Sequence, residues 1–177
     1  MMAPSRNLTS LIALVLVASA VSFAERTTFA QEALEDNPVP KLLENIESDN
    51  LKVASSAARS LGVVFSPGGK GVEQKDEATA ALIDKLASPL GAKLREESAR
   101  ALGRMRAKES LESIKKAIDD EDVEVAIAAA EAAANILPVD DARTFLKDRG
   151  NDESENVKAA VYRAMANIAK PEDADFM

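Results

Sequence analysis

The stretch LREESARALGRM, residues 94–105, decides how the rest of the chain is read. It is Ala-rich and charged, with one glycine near its end, and it recurs in looser form. VASSAARSLGVV stands at 53–64, VAIAAAEAAANI at 125–136 and VKAAVYRAMANI at 157–168. Anchoring the copies on Gly62, Gly103, Ala134 and Ala166 aligns Val53, Leu94, Val125 and Val157 nine residues earlier. The same alignment puts Val64, Met105, Ile136 and Ile168 two residues later. Small or apolar residues hold most of offsets −9, −6, −5, −2, −1 and +2, whose steps of 3, 1, 3, 1 and 3 mark one face of an α-helix. Ser56, Ser60, Glu97 and Ser98 interrupt that face.

The anchors lie 41, 31 and 32 residues apart. The first interval is longer because of the insert SPGGKGVEQKD at 66–76, whose Pro67, Gly68, Gly69 and Gly71 do not continue a helix cheaply. Before each copy runs a shorter amphipathic segment: VPKLLENIES, EATAALIDKLAS, SLESIKKAIDD and DDARTFLKDRG. Leu42, Ile83, Ile114 and Leu146 stand at equivalent places in these segments. Each unit thus reads as helix A, a polar turn and helix B. The turns SDN, SPLG, DDED and NDESEN supply side chains that accept hydrogen bonds from a helix start, and their acids favour its positive end. Pro138 and Pro171 follow the B segments of units three and four as stop signals. Such a repeat predicts an all-α fold, an α-α superhelix of about four helix pairs in which each pair buries its faces on its neighbours. The expected units are 38–66, 77–107, 109–138 and 140–170, followed by a tail at 171–177.

Composition narrows the function. Of 177 residues, 30 are acidic and 22 basic, for a net charge of −8, and the chain has no His, Cys or Trp. Nucleic acid and anionic membrane surfaces are held mainly through Lys and Arg, so an acidic chain fits neither. Without His or Cys there is no Ser-His-Asp or Cys-His arrangement and no ordinary zinc site. No catalytic residue, cofactor or metal is therefore expected. Gly68-Gly69-Lys70-Gly71 lacks the G-x-x-x-x-G-K-[ST] spacing of a phosphate loop. The acidic turns at 119–122 and 152–155 lack the alternating carboxylates of a calcium loop.

The front of the chain reads as a secretory signal, residues 1–24. It has one basic residue, Arg6, then an apolar run from Leu11 to Ala24 that closes on small residues. Cleavage after Ala24 is expected, with Ala20 and Ala30 as alternatives and retention as an anchor also open. Residues 25–37 form a lead segment, and the mature protein is expected in the periplasm or outside the cell.

The repeat resembles HEAT repeats, in particular the short kind related to phycobilisome lyase subunits, whose second helix tends to read V-R-x-A-A-x-x-A-L-G. LREESARALG at 94–103 matches well, VASSAARSLG at 53–62 matches in its second half, and the last two copies carry Ala in place of Gly. The resemblance spans about residues 38–170. It implies a right-handed armadillo-type α-solenoid, with B helices lining the concave side. Some HEAT-like enzymes hold iron through His-Glu pairs, which this chain lacks. The implied role is a scaffold that binds another protein, with an accessory subunit of a lyase-like enzyme or a structural spacer as alternatives. At offset −3 the B helices carry Arg59, Arg100, Glu131 and Arg163, with Arg95, Glu96, Arg104, Lys158 and Tyr162 nearby. Arg and Tyr are enriched at binding hot spots. These seven residues, Arg59, Arg95, Arg100, Arg104, Lys158, Tyr162 and Arg163, are the candidate protein-binding set.

Overall fold

A computed structural model describes residues 37–69, 73–151 and 154–173. The expected signal segment lies outside them, as do residues 25–36, 70–72, 152–153 and 174–177. The array begins at Val39 and contains eight α-helices and no strand among the described residues. They are α1 (Val39–Ile46), α2 (Leu51–Val64), α3 (Lys75–Leu86), α4 (Ala92–Met105), α5 (Leu111–Ala117), α6 (Val123–Ile136), α7 (Val139–Gly150) and α8 (Glu155–Met165). Short 3₁₀ turns occupy Lys108–Ser110 and Pro171–Asp173. No helix among the described residues is long and apolar enough to cross a membrane.

The even-numbered helices are the four B segments. They pack side by side in chain order, α2 on α4, α4 on α6 and α6 on α8, and each also packs on its own A helix. The A helices α1, α3, α5 and α7 meet one another sparsely. Consecutive pairs therefore stack in a line, as in an α-solenoid, over one continuous apolar core.

Three of the four A-to-B turns cap as their composition predicts. Asn50 accepts from the N–H groups of Lys52 and Val53, Asp122 from those of Glu124 and Val125, and Ser154 from that of Val157. The fourth helix start, at Gly91, has no side chain to cap with. The insert folds partly into the next helix, since α3 already begins at Lys75, preceded by Gln74 in the left-handed region at φ 63.

Burial follows the aligned offsets closely in the later units. Leu94, Ser98, Ala101, Leu102 and Met105 are buried on α4, as are Val125, Ala128, Ala129, Ala132, Ala133 and Ile136 on α6. Unit one departs from this: Val53 is 37% exposed and Ser56 is exposed. Offsets −9, −6 and −2 face the preceding B helix, and α2 has no described predecessor. Polar Ser56 and Ser60 on this face are then no defect.

The B helices approach so closely because of glycine. A Cβ built on Gly62 would lie 2.6 Å from the Cα of Ala101, and one on Gly103 would lie 2.7 Å from the Cα of Ala132. At both seams an anchor glycine of one unit meets the offset −2 alanine of the next. The A layer is joined differently, by long charged side chains. Lys85 reaches Glu47 at 2.5 Å, between α1 and α3, and Arg149 pairs with Asp119, between α7 and the end of α5. Lys115 also lies over the Phe145 ring, 5.7 Å from its centre. Beyond the last pair, Asp173 is buried against α7. It accepts from Arg143 through both oxygens, at 2.9 and 2.8 Å, and pairs with Lys147.

Candidate functional site

The seven candidate residues divide by helical phase. At 100° per residue, offset −8 lies roughly 140° around the helix from offset −3, and offset +1 only about 40° from it. Arg59, Arg100 and Arg163 share offset −3, and Arg104 at +1 lies beside them. Arg95 and Lys158 share offset −8 and stand on the edge of the array where the A-to-B turns lie. Tyr162, at −4, is about 100° from Arg163 on α8.

Arg95 forms a structural staple. Its Nε and terminal nitrogen donate to Asp120 at 2.8 and 2.9 Å, and a third donor reaches the Ser88 carbonyl at 3.5 Å. Both side chains of the pair are only 12% exposed. Asp120 sits in the turn between α5 and α6, so the pair ties unit two to unit three. Burial pushes the Asp120 carboxyl up, but Arg95 and the Asp122 N–H hold it below the usual range. Three of the four acids of the DDED turn are thus engaged internally: Asp119 by Arg149, Asp120 by Arg95 and Asp122 by capping. Lys158 pairs with Glu155 one turn away at 2.9 Å.

On the −3 stripe the cations meet carboxylates to different degrees. Arg59 donates to Glu97 of the next B helix through two bonds, Nε to Oε2 at 3.0 Å and a terminal nitrogen to Oε1 at 2.5 Å. The Glu97 side chain is 3% exposed and Arg59 is 56% exposed. The hydrogen bond from Arg59 draws the Glu97 carboxyl down to about 2, against the effect of burial and helped by Lys93. The interruption that Glu97 makes in the apolar stripe is therefore an inter-helix ion pair. Arg100 pairs with Glu96 on its own helix at 3.0 Å and reaches Glu124 at 4.0 Å. Arg163 lies 3.4 Å from Glu131. Arg104 is exposed and has no ion pair or hydrogen bond among the described residues.

Arg100, Arg104 and Arg163 come together at a pocket of about 220 Å³ over the α4–α6 seam, shared with Ala128, Glu131, Ala132 and Asn135. A larger depression of about 630 Å³ lies on the turn edge around Arg95 and Asp120. Among the described residues no group of three or more acidic side chains is placed to hold a metal ion. Glu96, Glu97 and Glu131 were visible in the sequence, but their pairing with the stripe arginines was not read from it. Glu96, four residues before Arg100 on one helix, was a readable signal. The Arg59–Glu97 pairing required the slide of one helix along the next.

The family model for HEAT repeats matches residues 39–134. No curated protein matches the chain. Among solved structures, the crystal structure of an engineered protein from the Northeast Structural Genomics Consortium is similar. It is 25% identical with a TM-score of 0.54, over 75% of this chain and 63% of that one. The chain thus spans under two thirds of that protein's length.

Proposed function

The chain belongs to the HEAT-repeat family, and from that premise we propose that it is an exported, non-catalytic module that docks another protein on the B-helix face. HEAT repeats generally serve protein–protein interaction. One observation carries the reading: cations from three of the four B helices, Arg59, Arg100, Arg104 and Arg163, converge on one stripe of an otherwise acidic protein. Arg104 has no partner among the described residues, and such an exposed cation on a rigid scaffold suits docking. Tyr162 flanks the stripe on α8. Arg95 and Lys158 are placed outside the docking set, since they lie on the turn edge in ion pairs. The absence of His and Cys from the sequence supports a role without catalysis, and the apolar run after Arg6 supports export.

The test is affinity capture from the envelope fraction of the source cells. Protein with Arg104→Glu and Arg163→Glu is compared with the parent, and bound proteins are identified by mass spectrometry. The expected result is selective loss of one or a few captured proteins at unchanged helix content by circular dichroism. Identical recoveries from both would overturn the proposal.

A further inference from the structure

The α2–α4 and α4–α6 seams share the same register, and comparing them exposes a missing charge. At the first seam, Arg59 at offset −3 grips Glu97 at offset −6 of the following helix with two bonds. At the second seam the same two offsets hold Arg100 and Ala128. The guanidinium is kept and a methyl group stands at the carboxylate's offset, so Arg100 turns to Glu96 of its own helix at 3.0 Å and meets Glu124 across the seam only at 4.0 Å. The 220 Å³ pocket opens at this spot, with Ala128 and Ala132 beside Arg100.

We propose that this pocket is a seat for a single carboxylate, a glutamate side chain presented by the docked protein. The inference rests on the docking reading above and names the chemistry at its centre. Three guanidinium groups line the pocket against one carboxylate, Glu131. Arg100 is paired with Glu96 and Arg163 with Glu131, whereas Arg104 is exposed and its guanidinium has no partner among the described residues. A carboxylate is the natural acceptor for an unpartnered guanidinium fork. The volume is below the roughly 300–1,000 Å³ of small-molecule pockets and suits one side chain. A long polyanion is disfavoured by Glu96, Glu124 and Glu131 around the seam and by the net charge of −8. One carboxylate inserted among three arginines avoids that repulsion.

The probe is the blocked pentapeptide Ac-Ala-Ala-Glu-Ala-Ala-amide, titrated into nitrogen-15-labelled protein while the arginine Nε–H resonances are followed. Saturable shifts are expected at Arg100, Arg104 and Arg163. The Arg59 resonance should stay in place, because Glu97 already fills its fork. The same peptide with Gln should bind about tenfold or more weakly, since a charge-assisted bond is lost. Sodium acetate at equal concentration should shift the same resonances more weakly; acetate matching the peptide would show a free-anion site and overturn the assignment to a side chain. Ala128→Glu supplies the carboxylate from within and should abolish the shifts. The double variant Arg104→Gln, Arg163→Gln, at two exposed positions, should abolish them independently. Equal binding of the Gln peptide, movement of Arg59 in step with the other arginines, or parent-like binding by both variants would overturn the seat. If the seat fails while Arg104→Glu and Arg163→Glu still lower capture, the docking face stands without it. If the peptide binds as expected while capture is unchanged, the seat stands and the docking role falls.

Discussion

Replacing Gly103 with Ala tests the packing of the B helices at its tightest requirement. In an exposed helix interior this change stabilises, because Ala is favoured over Gly by about 0.8–1 kcal/mol. Here the new Cβ would stand 2.7 Å from the Cα and 2.8 Å from the Cβ of Ala132. Non-bonded carbons ordinarily sit about 3.5–4 Å apart, so α4 and α6 would have to part by roughly 1 Å. The obstacle is backbone, which no rotamer change relieves. Overpacking of this kind costs about 1–3 kcal/mol and occasionally more. With backbone as the obstacle the upper part of that range applies, about 2–3 kcal/mol, so after the propensity gain the net destabilisation is about 1–2 kcal/mol, a fall of roughly 3–8 °C in Tm for an array of this size. Thermal melts followed at 222 nm, supported by urea titration, give the sign directly. The second change Ala132→Gly, made in the Gly103→Ala background, takes away the opposing methyl group but leaves the backbone of residue 132 in the way, so its rescue should be partial. A Tm for Gly103→Ala equal to or above the parent's would refute the close α4–α6 seam.

Ala133→Leu on α6 places three extra carbons at a fully buried position and should destabilise by about 1–3 kcal/mol, read as a lower Tm. Removing the Arg95–Asp120 staple by Arg95→Ala leaves a largely buried carboxylate without its main partner. It should cost about 3 kcal/mol in urea unfolding and accelerate amide exchange where α5 meets α6. Glu97 provides a pH signature. Its carboxyl is drawn from 4.5 to about 2 in the folded state. The pair therefore contributes fully above about pH 4.5 and loses its contribution as pH falls toward 2. Because the Arg59 end is in water, the loss is about 2 kcal/mol. Glu97→Gln should melt below the parent at pH 7, and the two Tm curves should converge as the pH drops toward 2.

The helix-pair architecture was legible because its cause is local. A helical period repeated four times, with polar turns between, predicts which faces must be covered. Leu94, Val125 and Val157 are buried as that pattern expects, while Val53 is not, because burial at offset −9 requires a preceding B helix. The candidate site was legible only in part. Gathering seven residues by proximity in sequence merged two helix faces, and phase separates Arg95 and Lys158 from the stripe. The Arg59–Glu97 pair joins residues 38 apart, and the Arg95–Asp120 pair joins residues 25 apart. Which partners meet at such distances depends on how far one helix slides along its neighbour. Gly62 and Gly103 set how closely the B helices approach, and their influence is visible only once the helices are in contact.

The two layers of the array have different compliance. The B seams are closed by methyl groups and bare backbone, so prising them open exposes apolar surface to water. Two of the three A seams are bridged by flexible Lys and Arg chains that lengthen by changing rotamer and weaken as salt is added. Bending therefore pivots on the B side and is absorbed on the A side. The guanidinium groups on the B side keep their mutual spacing under load, while the opposite side of the molecule acts as the spring.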